Sequence, residues 1–168
     1  MQTKTVTILG MCISFLLITT SFSISNTITP TITSGMVKKH RNTISETTCL
    51  ARVIFHEARG QSSKGKTAVA EVTLNRVLSS EYPDSVCAVM QQPHQYSGIK
   101  KHRVRNNPIA QAAWDESKRI ASLVLQRRNT VLSRDVLFFH AVTARPAWSR
   151  KMQRVARIGG HIFYKKKH

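Results

Sequence analysis

An apolar helical stripe that ends in an acid, within residues 49–60, constrains the fold of this chain more than any other feature. Leu50, Val53 and Ile54 lie at positions i, i+3 and i+4, and Glu57 continues the same face at i+7. The side of the helix that packs against other elements therefore also carries a carboxyl group. Burial and the negative end of the helix dipole both raise the pKa of such a group above its usual value.

A buried acid of this kind has two interpretations. A carboxylic acid that stays protonated near neutral pH can act as a general acid in catalysis. Alternatively, Glu57 is a structural residue that is ion-paired with Arg59 or Arg52, and on spacing alone this is the commoner arrangement. Other features of the chain must decide between the two.

The charge of the chain indicates an anionic partner. Its 168 residues include 26 Lys and Arg against 8 Asp and Glu, which gives a net charge of +18. The basic residues are scattered and few aromatic residues lie between them, so generic electrostatic attraction is favoured over base readout. An anionic wall or membrane surface is the expected partner, and no specific nucleic acid is predicted.

The N-terminal segment predicts export. Lys4 precedes an almost wholly apolar window at 8–18, and a Ser/Thr-rich stretch then runs to Gly35. Residues 1–35 are interpreted as a signal peptide, because the apolar core is short for a full membrane span. An uncleaved signal anchor in the inner membrane is the alternative. The predicted location is the periplasm or cell envelope, with residues 36–46 as a basic tether and residues 47–168 as the functional domain.

Two cysteines lie in the exported part, at Cys49 and Cys87. An even pair in an oxidising compartment is most simply a disulfide, and two buried free thiols are the alternative. Cys12 lies inside the apolar segment and precedes most of it, which does not support a lipidation site there.

The predicted architecture is α+β, predominantly helical with a small antiparallel sheet near the C-terminus. The first helix is expected to start at Ser45 as N-cap and to stop at Gly60 in the left-handed conformation. Asn107 and Pro108 are typical of a helix start, and Gly159-Gly160 of a two-residue hairpin turn. The predicted helices span 45–60, 64–79 and 108–127, the strands span 136–139, 155–158 and 161–164, and a long loop spans 91–108.

The motifs favour chemistry that needs a single acid. His56 and Glu57 lack the second His at i+4 that a zinc helix requires, and no Cys/His pair has zinc spacing, so neither a metal nor another cofactor is expected. No sequence reason brings Glu71 or Asp84 to face Glu57. Glycosidic cleavage with internal attack by a hydroxyl of the sugar needs only one acid, because it requires no protein nucleophile, and it therefore fits a site with Glu57 alone.

Six motifs occur in an order that resembles a known family. They are His56-Glu57-Ala58-Arg59-Gly60, Ala68-Val69-Ala70-Glu71-Val72, Tyr82-Pro83-Asp84-Ser85-Val86-Cys87, Gln95-Tyr96-Ser97, Pro146-Ala147-Trp148 and Ile158-Gly159-Gly160-His161. Over about residues 47–165 the chain resembles the SleB-type cell wall hydrolases, which include spore-cortex-lytic enzymes and Gram-negative envelope homologues. Gln61 and His56 depart from the pattern, because a second Glu is frequent at the first position and an aromatic residue or Gly at the second.

The resemblance implies a lysozyme-like fold and cleavage of peptidoglycan glycan strands, with Glu57 as the catalytic acid. It also implies that a loop segment lines the glycan groove (Gln95, Tyr96, Ser97) and that other residues support the site (Glu71, Asn75, Arg76, His140). Structural hydrogen bonding is favoured over catalysis for His140 and His161.

Three functions remain open from the sequence. Better-studied members of the family resemble lytic transglycosylases, although the name has also carried an N-acetylmuramoyl-L-alanine amidase label. A nonenzymatic cationic protein that binds envelope or nucleic acid is the third possibility, supported by net charge alone. The oligomeric state is not indicated.

Overall fold

The computed structural model describes residues 34–96, 99, 107–127 and 131–167, with side chains from residue 42 onward. Almost all of the predicted signal segment therefore lies outside the described residues, and so does Ser97. Within the described part, no helix combines the length and apolar character that crossing a membrane requires.

Helices form most of the described chain. They are α1 (Ser34–Ala58), α2 (Ser63–Leu78), α3 (Val86–Gln91) and α4 (Pro108–Gln126). The last three begin at side-chain caps, because Ser62, Ser85 and Asn107 each accept a backbone N–H of the first turn. The predictions for α2 and α4 are confirmed to within a residue or so, whereas α3 is too short to show periodicity in the sequence.

Helix α1 differs from its prediction at both ends. It starts at Ser34 and continues through the basic stretch at 36–44, which holds no Gly or Pro that would stop a helix. The Ser45 hydroxyl lies 3.4 Å from Cys87 Sγ instead of capping. At the other end, Gly60 does not adopt the predicted left-handed conformation. The Gln61 N–H donates to the Ala58 carbonyl at 2.9 Å and closes the helix.

The sheet is antiparallel, as predicted. Its strands are β1 (Val136–Ala141), β2 (Met152–Ile158) and β3 (His161–Lys166), in the order β1-β3-β2. Gly159, at φ +56°, and Gly160 connect β2 to β3, so the predicted hairpin is confirmed. A short 3₁₀ helix at Ala147–Lys151 in the β1-to-β2 connection was not predicted.

Helix α1 lies at the centre of the hydrophobic core. Val53 packs with α2 and with Phe163 of β3, while Leu50 and Ile54 pack with α2 and α4. The apolar stripe is thus buried as predicted. The Cys49–Cys87 disulfide is present, with Cα atoms 5.2 Å apart, and joins α1 to α3. The α+β fold with a small C-terminal sheet is confirmed.

Candidate active site

A cleft of about 630 Å³ opens between the C-terminal end of α1 and the sheet. Four residues predicted from the sequence meet along its walls, although they come from distant parts of the chain: Glu57, Arg76, Gln95 and His140. The remaining predicted site residues lie behind the walls or outside the described chain.

Glu57 reaches the cleft as a half-buried side chain. Burial raises the pKa of its carboxyl group, and the positive charge of Arg76 partly opposes this rise. Among the described residues, no side chain lies within ion-pair distance of the Glu57 carboxylate. The Arg59 guanidinium instead lies 5.5 Å from the centre of the Phe55 ring. The structural ion pair considered from the sequence is therefore not formed.

Arg76 is a buried cation fixed between aromatic rings. Its Nε donates to the Leu137 carbonyl at 2.9 Å, and Nη1 donates to the Tyr96 hydroxyl at 3.0 Å. The guanidinium carbon lies 5.5 Å from the ring centres of both Tyr82 and Tyr96. These contacts hold a positive charge at a constant position relative to Glu57.

Asn75 attaches α2 to the start of β1. Its Nδ2 donates to the Ser133 carbonyl at 2.9 Å and to the Val136 carbonyl at 3.0 Å. Since β1 carries the aromatic side chains of the cleft wall, this contact fixes their position.

Glu71 supports the same frame from behind the cleft. It is almost fully buried, and its carboxylate accepts the backbone N–H groups of Val131 and Leu132, the latter at 2.7 Å. A carboxylate that accepts backbone N–H groups holds the segment that enters β1. Glu71 does not line the cleft.

The two described residues of the loop segment predicted to line the groove, Gln95 and Tyr96, differ in exposure. Gln95 is exposed and lines the cleft, as the resemblance implies. Tyr96 differs from that expectation, because its side chain is only 3% exposed and its hydroxyl lies 3.0 Å from Thr73 Oγ1 as well as accepting from Arg76. Its polar atom is thus occupied inside the protein, where it positions Arg76.

His140 is held by two hydrogen bonds. Nδ1 lies 2.8 Å from the Ala141 carbonyl, which can only accept, so Nδ1 carries the proton. Nε2 lies 2.9 Å from the Tyr164 hydroxyl. Both ring nitrogens of His140 are therefore occupied by hydrogen bonds inside the protein.

His161 is a buried histidine at the wall of the cleft. Burial lowers the pKa of its ring, and the nearby His140 lowers it further. The ring stands nearly perpendicular to Phe139, with centroids 5.4 Å apart. Its Nδ1 has no hydrogen-bond partner among the described residues.

One wall of the cleft is aromatic, a feature that was not predicted from the sequence. Trp148 from the 3₁₀ helix lies beside Phe138, with ring centroids 5.8 Å apart, and both line the cleft. Trp148 also contacts His140 and Tyr164, each at 5.6 Å. The only signal in the sequence was the Pro146-Ala147-Trp148 motif. Such a wall offers apolar ring faces next to an acid.

Gln61 was noted only as a departure from the family pattern, and its contacts give it a structural role. Its Oε1 accepts the Gly160 N–H at 2.8 Å, so the end of α1 is joined to the hairpin turn 99 positions away. This bond connects the helix that carries Glu57 to the strand that carries His161.

The described residues contain no group of three His, Cys, Asp or Glu side chains that could hold a metal ion. The absence of a metal requirement remains a prediction, tested by chelation.

The helical frame, the small sheet and the cleft with its acid define a lysozyme-like α+β domain. The profile of the Cell Wall Hydrolase family matches residues 60–164, and the chain belongs to this family. The matched range starts just after Glu57, so the role of that residue rests on its geometry and on the motif around it.

Two characterised relatives are spore cortex-lytic enzymes. That of Halalkalibacterium halodurans is 31% identical over 114 residues, which cover 68% of this chain and 33% of the relative. That of Bacillus subtilis is 30% identical over 114 residues, covering 68% and 35%. The chain spans about a third of the length of these relatives.

Two solved structures share the fold. The catalytic domain of the germination-specific lytic transglycosylase SleB from Bacillus anthracis superposes with a TM-score of 0.58 at 25% identity, covering 71% of this chain and 93% of that domain. The catalytic domain of the Bacillus cereus SleB protein has a TM-score of 0.52 at 24% identity, covering 74% and 91%.

Proposed function

We propose that this chain cleaves the glycan strands of peptidoglycan as a lytic transglycosylase, with Glu57 as its only acid–base catalyst. The observation that carries the proposal is a half-buried carboxyl group in the cleft, with a raised pKa and no ion pair in the described part of the chain. The structural likeness to the catalytic domain of a germination-specific lytic transglycosylase supports it.

The first step uses the protonated form of Glu57. The carboxyl group donates its proton to the glycosidic oxygen, and the bond from that oxygen to the anomeric carbon breaks. Positive charge then develops on the sugar ring. The new Glu57 carboxylate, which lines the same cleft, would stabilise that charge.

The second step returns the proton. The carboxylate accepts a proton from the C6 hydroxyl of the same sugar, whose oxygen bonds to the anomeric carbon and forms a 1,6-anhydro ring. The reaction consumes no water and requires no protein nucleophile, because the hydroxyl of the sugar is the attacking group. One group serves as acid and then as base most effectively when its pKa lies near the working pH. Burial and Arg76 act on the Glu57 pKa in opposite directions and so support this dual use.

We also propose that the chain acts outside the cytoplasm, because peptidoglycan lies there. The apolar N-terminal segment would direct export, whether or not it is cleaved. The net charge of +18 would hold the protein on an anionic wall or membrane surface.

The decisive variant is Glu57→Gln in the full chain. The amide has nearly the same shape but cannot donate a proton as a carboxylic acid does, so release of fragments from purified sacculi should fall by at least about 100-fold. Glu81→Gln is the matched control, since Glu81 is an exposed acid that forms an ion pair with Lys166 at the surface. Retained lysis by E57Q would overturn the assignment.

The products distinguish the related reactions. Mass spectrometry of the digest should detect anhydromuramyl ends. Reducing ends would instead indicate a hydrolase, and free stem peptides an amidase. Binding to the wall without release of any fragment would indicate a nonenzymatic cationic protein.

A further inference from the structure

A second cavity of about 330 Å³ adjoins the cleft. His140 lines both spaces, and Tyr164, whose hydroxyl lies 2.9 Å from His140 Nε2, lines the second cavity. Arg145 and Arg150 line the second cavity from two points of the β1-to-β2 connection. Nothing in the proposed acid–base chemistry uses these two arginines.

The connection that carries the arginines is fixed by its own hydrogen bonds. The Val142 N–H donates to the Gly160 carbonyl at 2.8 Å, and the Ala144 N–H donates to the Ala141 carbonyl at 2.9 Å. The Ser149 hydroxyl donates to the Pro146 carbonyl at 2.8 Å. Together with the packing of Trp148 on the sheet, these bonds hold the backbone of both arginines in place.

Both guanidinium groups are available to an anion. Neither Arg145 nor Arg150 forms an ion pair within the described chain. Asp135 is the last acidic residue of the sequence, and Lys165 already binds it at 2.7 Å. The whole segment that surrounds the cavity therefore contains cations and no competing carboxylate.

The chemistry of the pair points to carboxylates. A guanidinium presents a planar fork of N–H donors that matches the two oxygens of a carboxylate. In peptidoglycan, each muramyl sugar carries a short peptide that ends in free carboxylates. A strand seated in the cleft would hold such a peptide within a few ångströms of the glycan backbone.

We propose that Arg145 and Arg150 form a subsite for a carboxylate of the stem peptide carried by the glycan strand. This inference rests on the proposed function, since it assumes that a glycan strand occupies the cleft. It predicts that the protein prefers strands with stem peptides to bare glycan of the same length.

The test measures binding separately from cleavage. Full-length protein with Glu57→Gln, which should not cut, is titrated with glycan strands that carry stem peptides and with the same strands after an amidase has removed them. The double variant Arg145→Gln/Arg150→Gln is compared with Arg154→Gln/Arg157→Gln. The second pair removes the same charge from exposed positions of β2 that line neither space.

The R145Q/R150Q pair should weaken binding to peptide-bearing strands about tenfold. Amidase-treated strands keep one lactyl carboxylate on each muramyl sugar, and binding to them should weaken only by the small factor that loss of two positive charges causes. The R154Q/R157Q pair should change both substrates by the same small factor. Lysine at both positions should restore only part of the preference, because charge is kept and the fork is lost.

Two outcomes would overturn the subsite. One is an equal loss of affinity for both substrates, and the other is an equal effect of the two variant pairs. Either would show that the two arginines contribute only nonspecific electrostatic attraction. Failure of wild-type protein to release any fragment would count against the proposed function alone, because the binding comparison does not depend on cleavage.

Discussion

At the residue scale, Glu57 lies on the packed face of its helix and also presents a carboxyl group to the cleft. It continues the buried face of α1, yet it ends in the cleft instead of the core. Burial disfavours its ionised form, and the Arg76 charge, which partly opposes this effect, belongs to a guanidinium that donates to Leu137 and Tyr96. The fold therefore retains an acid that would be more stable if it were neutral, as is frequent in catalytic sites.

The raised pKa of Glu57 makes a prediction about stability and pH. The folded state binds this proton more tightly than the unfolded state, so stability falls as pH rises from the unfolded to the folded pKa. Glu57→Gln removes that penalty. The variant should melt at a higher temperature than the wild type at pH 7 and at nearly the same temperature below about pH 4, where the wild-type carboxyl group is protonated in both states.

Scanning calorimetry of both proteins across this range measures the difference, with E81Q as the control. A constant difference at every pH would show that the Glu57 pKa is not raised by folding. A lower melting temperature for E57Q at pH 7 would show that its carboxylate is stabilised by a partner.

At the element scale, the β2–β3 hairpin depends on the end of α1. Gly159 takes a left-handed conformation at φ +56°, and a Cβ atom there would collide with the Gln61 side chain. The same side chain accepts the Gly160 N–H. The side-chain amide of Gln61 thus fixes the position of the hairpin turn relative to the helix that carries Glu57.

Gly159→Ala should destabilise the protein by about 1–2 kcal/mol or more, because left-handed backbone is unfavourable for alanine and Gln61 must move. Gly60→Ala is the matched control. It lies one residue from Gln61, has open space around it and lacks a positive φ, so its effect should stay within about 0.5 kcal/mol. Urea denaturation of both variants gives the comparison. Equal effects would mean that the hairpin turn is not constrained by Gln61.

At the scale of the whole molecule, the disulfide and the two core clusters make one frame from distant parts of the chain. Cys49 and Cys87 are 38 positions apart and join α1 to α3, which leads into the loop with Gln95. Asn75 and Arg76 of α2 donate hydrogen bonds to backbone carbonyls of β1 and so join this strand to the same frame. The cleft therefore lies between elements that are fixed independently of substrate.

Replacing both cysteines by serine should lower the free energy of unfolding by up to about 4 kcal/mol, the cost of freeing a loop of this length in the unfolded chain. Equilibrium urea unfolding of the double variant, beside wild-type protein with and without reductant, tests this. Reduced wild type should match the variant. A change below about 1 kcal/mol would show that the frame holds without the bridge.

Much of this fold was predictable, because local patterns determine it. The period of the apolar residues located α2 and α4, caps at Asn107 and Pro108 fixed a helix start, and paired glycines located the hairpin. The failures have local causes as well. α3 is too short to show a period, and the start of α1 was misplaced because a basic stretch without Gly or Pro can continue a helix.

Residue type and short spacing were enough to predict the acid on a buried helix face, the cysteine pair, the class of fold and the family motifs. Three roles became visible only in the folded chain: Tyr96 positions Arg76, Trp148 forms a wall of the cleft, and Arg145 and Arg150 line a second cavity. Those roles depend on which distant segments meet. Packing of whole elements decides this, and spacing along the chain does not record it.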